Sequence, residues 1–193
     1  VGIMLGDGGI SKYQLTISLN HEDDKAYGIF VSKTIEKLFK IKPAKYRDVK
    51  NSIDDFVVSR RELVKFCVDK LGLKIGNKIK QQVDIPEWIK NNKNFKKFCL
   101  RGLFDTDGCL VIHKYKVNDK LYTYKKMNFS SASPSLIVSI MQILKEFDFK
   151  PRLSHNSRNV WIDDQREVGR YLKIIGSSNP KHWKRFWRRR IVG

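Results

Sequence analysis

The hydrophobic pattern of the chain switches between two periods, and each switch marks an element. From Tyr13 to Asn20 it alternates strictly, with Leu15, Ile17 and Leu19 on one side and Gln14, Thr16 and Ser18 on the other. This predicts a half-buried antiparallel strand with a polar face left free. A helical pattern follows to about residue 41, with Ala26, Ile29, Phe30, Leu38 and Phe39 as its apolar stripe. Asn20 is its expected N-cap, with Glu22, Asp23 and Asp24 in the first turn, and Pro43 ends it. A hairpin is predicted over 44–58, running into the apolar Phe56–Val58. Ser59 and Glu62 then form a capping box for a third helix that runs to Leu71 and closes at Gly72. Residues 73–93 are Lys- and Asn-rich with little periodicity, and read as a linker that Trp88 pins to the body.

The second half repeats the plan. A helix over 95–107 leads into a strand at Leu110–Tyr115, a turn near Val117–Lys120 and a strand from Leu121 to Ser130. Ser133 and Pro134 are an N-cap and first-turn pair for a helix carrying Leu136, Ile137, Ile140, Met141, Leu144 and Phe147. A hairpin spans about 150–163 and turns at His155–Asn159. Asp164 and Glu167 then cap a helix bearing Val168, Tyr171, Leu172 and Ile175, in the place that Ser59 and Glu62 hold in the first half. Asn179-Pro180 opens a further helix, with Trp183 and Trp187 expected to face the body. The halves are unequal: Asn20 lies 13 residues beyond Asp7, whereas Ser133 lies 26 beyond Asp107. The longer second hairpin is expected to reach further along a ligand.

Duplication is most direct in one short stretch. Val1–Gly8 reads VGIMLGDG, and Leu100–Gly108 reads LRGLFDTDG. With Asp7 set against Asp107, Gly2 meets Gly102, Gly6 meets the small Thr106, and Gly8 meets Gly108. Gly2 and Gly6, like Gly102 and Thr106, are four apart and share a helix face, so two such faces allow helix backbones to approach closely. Gly8 and Gly108 are expected to end the helices as C-terminal glycines do. Asp7 and Asp107 would then stand at helix C-termini, where the dipole disfavours a carboxylate, and beside each other. A divalent cation between them removes both penalties.

Composition narrows the partner. With 39 basic and 20 acidic residues the net charge is +19, which points to a polyanion. No apolar run approaches the ~20 residues of a membrane span, no leader is apparent, and no lipid-anchoring motif is present. Nucleic acid is therefore expected and a membrane is not. Cys67, Cys99 and Cys109 are odd in number and lack metal-ligand spacing, so they read as buried free thiols of an intracellular protein. The chain opens inside a motif helix and so reads as a fragment.

Leu100–Gly108 closely, and Val1–Gly8 loosely, resemble the motif of the LAGLIDADG homing endonucleases in their single-chain, two-motif form. The resemblance implies an α+β fold: two pseudo-symmetric αββαββα halves packed through paired motif helices, with antiparallel sheets forming a DNA-binding saddle. On this chain the halves would be 1–72, with a truncated first helix, and 94–193, with the basic C-terminal helix, joined by the linker 73–93. The resemblance makes Asp7 and Asp107 the catalytic metal ligands, with Gly6 and Thr106 adjoining the metal. It implies Mg²⁺, with Mn²⁺ as a substitute and Ca²⁺ supporting binding without cleavage. Asn20 and Ser131 stand where the family often has glutamine, and no residue matches its catalytic lysine.

The reading surface is expected on the polar strand faces. In the first half its candidates are Lys12, Gln14, Thr16 and Ser18, with Lys45, Arg47 and Lys50 on the next hairpin. In the second half they are His113, Tyr122, Tyr124, Lys126 and Asn128, with Arg152 and Arg158. Lys181, Lys184 and Arg185, with Arg188, Arg189 and Arg190 beyond, would grip phosphates. The expected activity is staggered double-strand cleavage of a long, asymmetric DNA site by a monomer needing no protein partner, encoded in an intron. The alternative is a protein of the same fold that binds without cutting, such as an intron-RNA maturase or a DNA-binding regulator.

Overall fold

The computed structural model describes residues 1–187 of the 193; Arg188, Arg189 and Arg190 lie outside the described residues. The first half runs α1 (Gly2–Leu5), β1 (Gly8–Ile10), β2 (Leu15–Asn20), α2 (Lys25–Phe39), β3 (Ala44–Asp48), β4 (Ile53–Val58) and α3 (Arg61–Asp69). After a short α4 (Glu87–Lys90), the second half runs α5 (Lys93–Asp107), β5 (Gly108–Val117), β6 (Lys120–Ser130), α6 (Pro134–Glu146), β7 (Arg152–Leu153), β8 (Asn159–Ile162) and α7 (Gln165–Ile174). The final α8 spans Pro180–Trp187. Each half is αββαββα, and the two antiparallel sheets share one order, β1-β2-β4-β3 and β5-β6-β8-β7.

The alternating strands behave as their pattern requires. Ile17 and Leu19 are buried against α2, Leu15 is buried in the cluster that holds Val58 and Leu63, and Met127 and Phe129 are buried on β6. The faces carrying Thr16 and Ser18, or Tyr124 and Lys126, stay open. The unequal spacing becomes unequal ribbons. Strand β1 has three residues, about 10 Å, whereas β5 has ten, about 30 Å, paired along its length to β6. Asn118 and Asp119, both at positive φ, make the tight turn between β5 and β6.

The motif helices cross where their small residues meet. A Cβ on Gly2 would lie 2.3 Å from the Cys99 carbonyl oxygen, and one on Gly102 would lie 2.8 Å from the Ile3 nitrogen. The terminal glycines serve the same end rather than a left-handed cap. Gly108 is extended (φ −85°, ψ 151°) and opens β5, and a Cβ there would strike Phe104, just as one on Gly8 would strike Met4. The chain thus turns directly from helix into strand.

Several local expectations give way to tertiary packing. Helix α2 begins at Lys25, because Asn20 Oδ1 instead accepts from Glu22 and Asp23 nitrogens in a preceding turn. The buried face of α2 is Tyr27, Gly28 and Val31, while Ile29, Phe30 and Leu38 are exposed. Gly28 lets Phe56 of the sheet approach, and that contact sets the rotation of the helix. Ser59 makes no cap for α3; its hydroxyl accepts from Gln14 Nε2. At α7 Asp164 does accept from Arg166 N, but Glu167 accepts from Lys150 N. In α8 the buried anchor is His182, stacked on Phe104 at 4.2 Å, whereas Trp187 is exposed and only Trp183 reaches back, donating to the Ser177 carbonyl. Cys67 and Cys99 are buried free thiols, and Cys109 is half-buried.

The segment 73–93 is woven into the core. Leu73, Val83, Ile85 and Ile89 are buried in the cluster that also holds Leu5 of α1, Leu103 and Phe104 of α5, and the apolar face of α6. Trp88 donates to the Leu71 carbonyl at 3.2 Å. The first half keeps a smaller core of its own between α2 and its sheet.

Candidate active site and nucleic-acid interface

The two motif carboxylates converge at the helix crossing. Asp107 is the last residue of α5, while Asp7 follows α1 in a turn, its carbonyl accepting from Ser18 N. Burial pushes Asp7 up to about 7, with the charges of Asp107 and then Asp24 adding to it and Lys181 and Lys78 opposing. Burial likewise raises Asp107 to about 6, against the pull of Lys78. Among the described residues no protein hydrogen bond relieves either carboxylate, and none brings three acidic, histidine or cysteine groups together as a ligand set.

A divalent cation fits this pair. It supplies the charge that two adjacent half-buried carboxylates lack, and oxygen ligands suit Mg²⁺ or Mn²⁺. The adjoining residues are partly committed, however. Gly6 lies against Thr106, but its carbonyl accepts from Lys78 Nζ. The Thr106 hydroxyl donates to the Gly102 carbonyl at 2.9 Å. The neighbouring Asp105 serves the structure instead. It is 1% exposed and accepts from Ser177 Oγ and the Ser178 and Asn179 nitrogens. Burial raises it to about 6, although those hydrogen bonds pull it down.

Lys78 is the group that sequence reasoning missed. Its ammonium donates to the Leu5 carbonyl at 3.1 Å and to the Gly6 carbonyl, and it lies close enough to Asp107 and Asp7 for both charges to act on it. Burial nonetheless holds its pKa below the usual lysine range. It lines a cleft of about 430 Å³ with Asp107, Ser131, Ser133 and Arg158. Ser131 and Arg158, distant in sequence from Asp107, are thus brought to it. Asn20 is instead spent on the turn before α2. No local signal marks Lys78 out among the other lysines of 73–93.

The open sheet faces hold most of the expected reading surface. On the second ribbon His113, Tyr122, Tyr124 and Lys126 share one open face, joined by Tyr115, whose ring stacks on Tyr122 at 5.5 Å and on Tyr124 at 5.4 Å; Asn128 follows in the same register but is buried, its amide donating to Asn159 Oδ1. Arg152 belongs to the same face, and with Lys126 it clasps Asp163. Trp161, between Asn128 and Arg152 in the register, also faces out. The pairing of Tyr115 with Tyr122 follows once the turn at 118–119 is located, so it was within reach of the sequence.

On the first sheet Thr16 and Ser18 are on the open face, Ser18 donating to Asp55. Gln14 is there too but bonds Ser59, and Lys12 sits in the β1–β2 turn over the Tyr13 ring. Lys45 and Arg47 are on the other side: they oppose Phe56 and Asp54 across the edge strand, and Lys45 pairs with the buried Asp54. A one-residue phase decides this, because alternate residues change faces, and it leaves Tyr46 on the open face instead. Lys50 is exposed in the β3–β4 turn. In α8, Lys181 pairs with Asp24 at 2.7 Å, Arg185 lies 3.8 Å from Asp23, and only Lys184 is fully exposed.

Comparison with known proteins agrees with this geometry. A family model described as a LAGLIDADG-like domain matches residues 94–185. The chain is similar to the replication factor C small subunit of Methanocaldococcus jannaschii, 30% identical over 96% of this chain but 10% of that protein. It is also similar to the tRNA-splicing ligase RtcB of Methanopyrus kandleri, 23% identical over 95% of this chain and 19% of that protein. The chain therefore spans a tenth to a fifth of the length of these curated relatives. Among solved structures, the LAGLIDADG meganuclease I-AabMI bound to uncleaved DNA superposes with a TM-score of 0.63 at 11% identity, over 95% of this chain and 85% of that one. I-DmoI in complex with DNA and Mn gives 0.58 at 13% identity, over 92% and 93%. Full-length DUF199/WhiA from Thermatoga maritima, not named as an endonuclease, gives 0.57 at 14% identity, over all of this chain and 59% of that one.

Proposed function

From the premise that this chain has the single-chain LAGLIDADG homing endonuclease fold, with a LAGLIDADG-like domain in its second half, we propose that it cleaves double-stranded DNA at a long, asymmetric site, making a staggered break. The observation that carries the reading is the convergence of Asp7 and Asp107 at the helix crossing. Both are half-buried and, among the described residues, unrelieved by protein hydrogen bonds, beside the half-buried Lys78 and at the junction of two four-stranded sheets. A protein that only bound DNA would gain nothing from two adjacent half-buried carboxylates.

Asp7 and Asp107 would hold Mg²⁺, with Mn²⁺ as a substitute. When bound, the metal supplies charge stabilisation at the scissile phosphate and lowers the pKa of water. The chain's own contribution is positional. The crossing at Gly2, Gly6 and Gly102 brings the carboxylates together, and Lys78 places an ammonium, shifted toward neutrality, at the mouth of the Asp107 cleft. There the ammonium can hold a water or a hydroxide, and the neutral amine, which burial favours, can take a water's proton. Arg158 offers a charge to the phosphate beyond. The ribbons would enter successive stretches of major groove, and their unequal length makes the target asymmetric. Thr16, Tyr122 and Tyr124 would touch base edges, while Lys50, Lys126, Arg152 and Lys184 would hold phosphates.

The two curated relatives carry unrelated names, yet each matches nearly all of this chain over a small part of itself. That supports a self-contained homing element carried within larger polypeptides, in place of the intron reading frame that the sequence alone suggested. We read it as an intracellular monomer needing no protein partner.

The test is cleavage of a randomised plasmid library, with Mg²⁺ and then with Ca²⁺. Linear product from a defined site is expected with Mg²⁺, and binding without cutting with Ca²⁺. Asp7→Asn or Asp107→Asn should bind the same site and not linearise it. Normal double-strand cleavage by either variant would overturn the shared-carboxylate site. Tight binding with no cleavage under any metal would favour the binding-only reading, which the WhiA resemblance keeps in view.

A further inference from the structure

The N-cap positions of α2 and α6 are equivalent in the two halves, and they hold Asp24 and Ser133. Neither side chain caps its own helix. Each instead reaches the segment that follows the other half's last helix. Ser133 Oγ donates 2.7 Å to the Val83 carbonyl, beyond α3. Asp24 Oδ1 accepts from Asn179 Nδ2 at 2.6 Å and from Lys181 Nζ at 2.7 Å, beyond α7. These same segments carry the two lysines that act on the motif carboxylates: Lys78 after α3 and Lys181 after α7.

The exchange of a hydroxyl for a carboxylate separates the two lysines. Among the described residues Lys78 is bound only through backbone carbonyls, and it faces the cleft beside Asp107. Lys181 is held by an anion, in a pair whose side chains are only 19% and 7% exposed. Releasing Lys78 costs neutral hydrogen bonds; releasing Lys181 strands a buried carboxylate, which costs far more. Asn179 holds Asp24 in place and donates in turn to the Asp105 carbonyl.

We propose that Asp24 holds the Lys181 ammonium in an ion pair, so that it cannot serve a water at the neighbouring Asp7 half-site and the strand cut there is cut more slowly than the strand cut at the Asp107 half-site. Asp24 is thus a positioning residue that makes the protein release a nicked intermediate before the full break. This rests on the cleavage reading above, and deepens it.

The test follows the two strands separately, on a duplex carrying a different fluorophore on each. The wild-type protein should cut one strand several-fold faster, with a nicked intermediate accumulating. Asp24→Ser, which copies the other half, should speed the slow strand at least about fivefold and leave the fast strand unchanged. Asp24→Asn, which keeps the side-chain volume, should do the same if the serine variant folds poorly by thermal melting. Adding Lys181→Met to either should abolish the gain. A folded Asp24 variant in which the slow strand keeps its rate or slows would overturn the proposal, as would a gain that survives Lys181→Met. The lock is also read without metal or DNA, by acylating lysines and mapping them by mass spectrometry. Lys181 should be protected relative to Lys184 in the wild type and reactive in Asp24→Ser; equal reactivity in the wild type would refute the lock. A protein that binds DNA but cuts neither strand would overturn the cleavage reading, while the labelling would still decide whether the lock exists.

Discussion

Beside Asp107 the fold leaves a cleft whose lysine, Lys78, is bound among the described residues only to carbonyls, whereas the second lysine acting on Asp7, Lys181, is paired with Asp24, which Asn179 also holds. The motifs themselves differ in the same sense. Where α5 has Asp105, which ties down residues 177–179, α1 has Leu5, which is buried in the apolar core with Leu73 and Val83. One half anchors its neighbouring segment through polar bonds, the other through burial. A duplicated fold can therefore keep its backbone symmetry while its two sites diverge, because each site is completed by residues outside the repeated motif.

Substitutions and a change of pH test that divergence, beginning with the largest effect. Lys78→Met should lower single-turnover cleavage by about 100-fold or more, the usual worth of a positioned acid–base group, while binding in Ca²⁺ persists; a loss below tenfold would reduce Lys78 to a structural contact. Exchanging the motif residues should next show that they are not interchangeable. Asp105→Leu strands the Ser178 nitrogen and frees Ser177 Oγ, and should cost about 3 kcal/mol in urea unfolding. Leu5→Asp buries an unpartnered charge and should cost as much or more. If the double exchange restored stability, the two anchors would be equivalent after all.

The pH dependence follows from the raised carboxylates. Their native pKa values, about 7 for Asp7 and about 6 for Asp105 and Asp107, exceed the ordinary 3.8, so the native state binds more protons than the unfolded one across that interval. Stability of the metal-free protein should therefore fall as pH rises from about 4 to about 7, and level off above. Asp7→Asn should flatten much of that slope, and Mg²⁺ added at pH 8 should raise the melting temperature of the wild type but not of this variant. A melting temperature that rises with pH over that interval would contradict the burial of these groups.

The smallest effects separate the two sheets. Tyr124→Ala should weaken DNA binding by about fivefold, as loss of one stacked aromatic contact predicts. Lys45→Ala should change it less than twofold, because Lys45 is on the helix side of its strand, paired with Asp54. A larger effect from Lys45 would mean that DNA also reaches the sheet edge.

Much of this was legible in the residues. Strict alternation placed Leu15, Ile17 and Leu19 inward, since only one register buries all three. The four-residue spacing of Gly2 and Gly6, and of Gly102 and Thr106, anticipated the close crossing. The capping signals were less faithful. Asn20, Ser59, Ser133 and Asp24 are all short polar residues at helix entrances, yet each spends its side chain elsewhere. Such side chains choose among backbone and tertiary partners of similar strength, and local sequence does not rank them. The apolar stripe of α2 was misread because the residues that pack on its sheet are a tyrosine, a glycine and a valine.

The repeated plan is a property of the residue order alone. Paired motifs, alternating strands and amphipathic helices are written in spacings of two to four residues, where short-range sterics and burial act. Which lysine serves which carboxylate was decided by the packing of the whole chain. Lys78 meets the Gly6 carbonyl across 72 residues, and Asn179 meets Asp24 across 155. Contacts of that range depend on how whole elements are stacked, and no local periodicity encodes them.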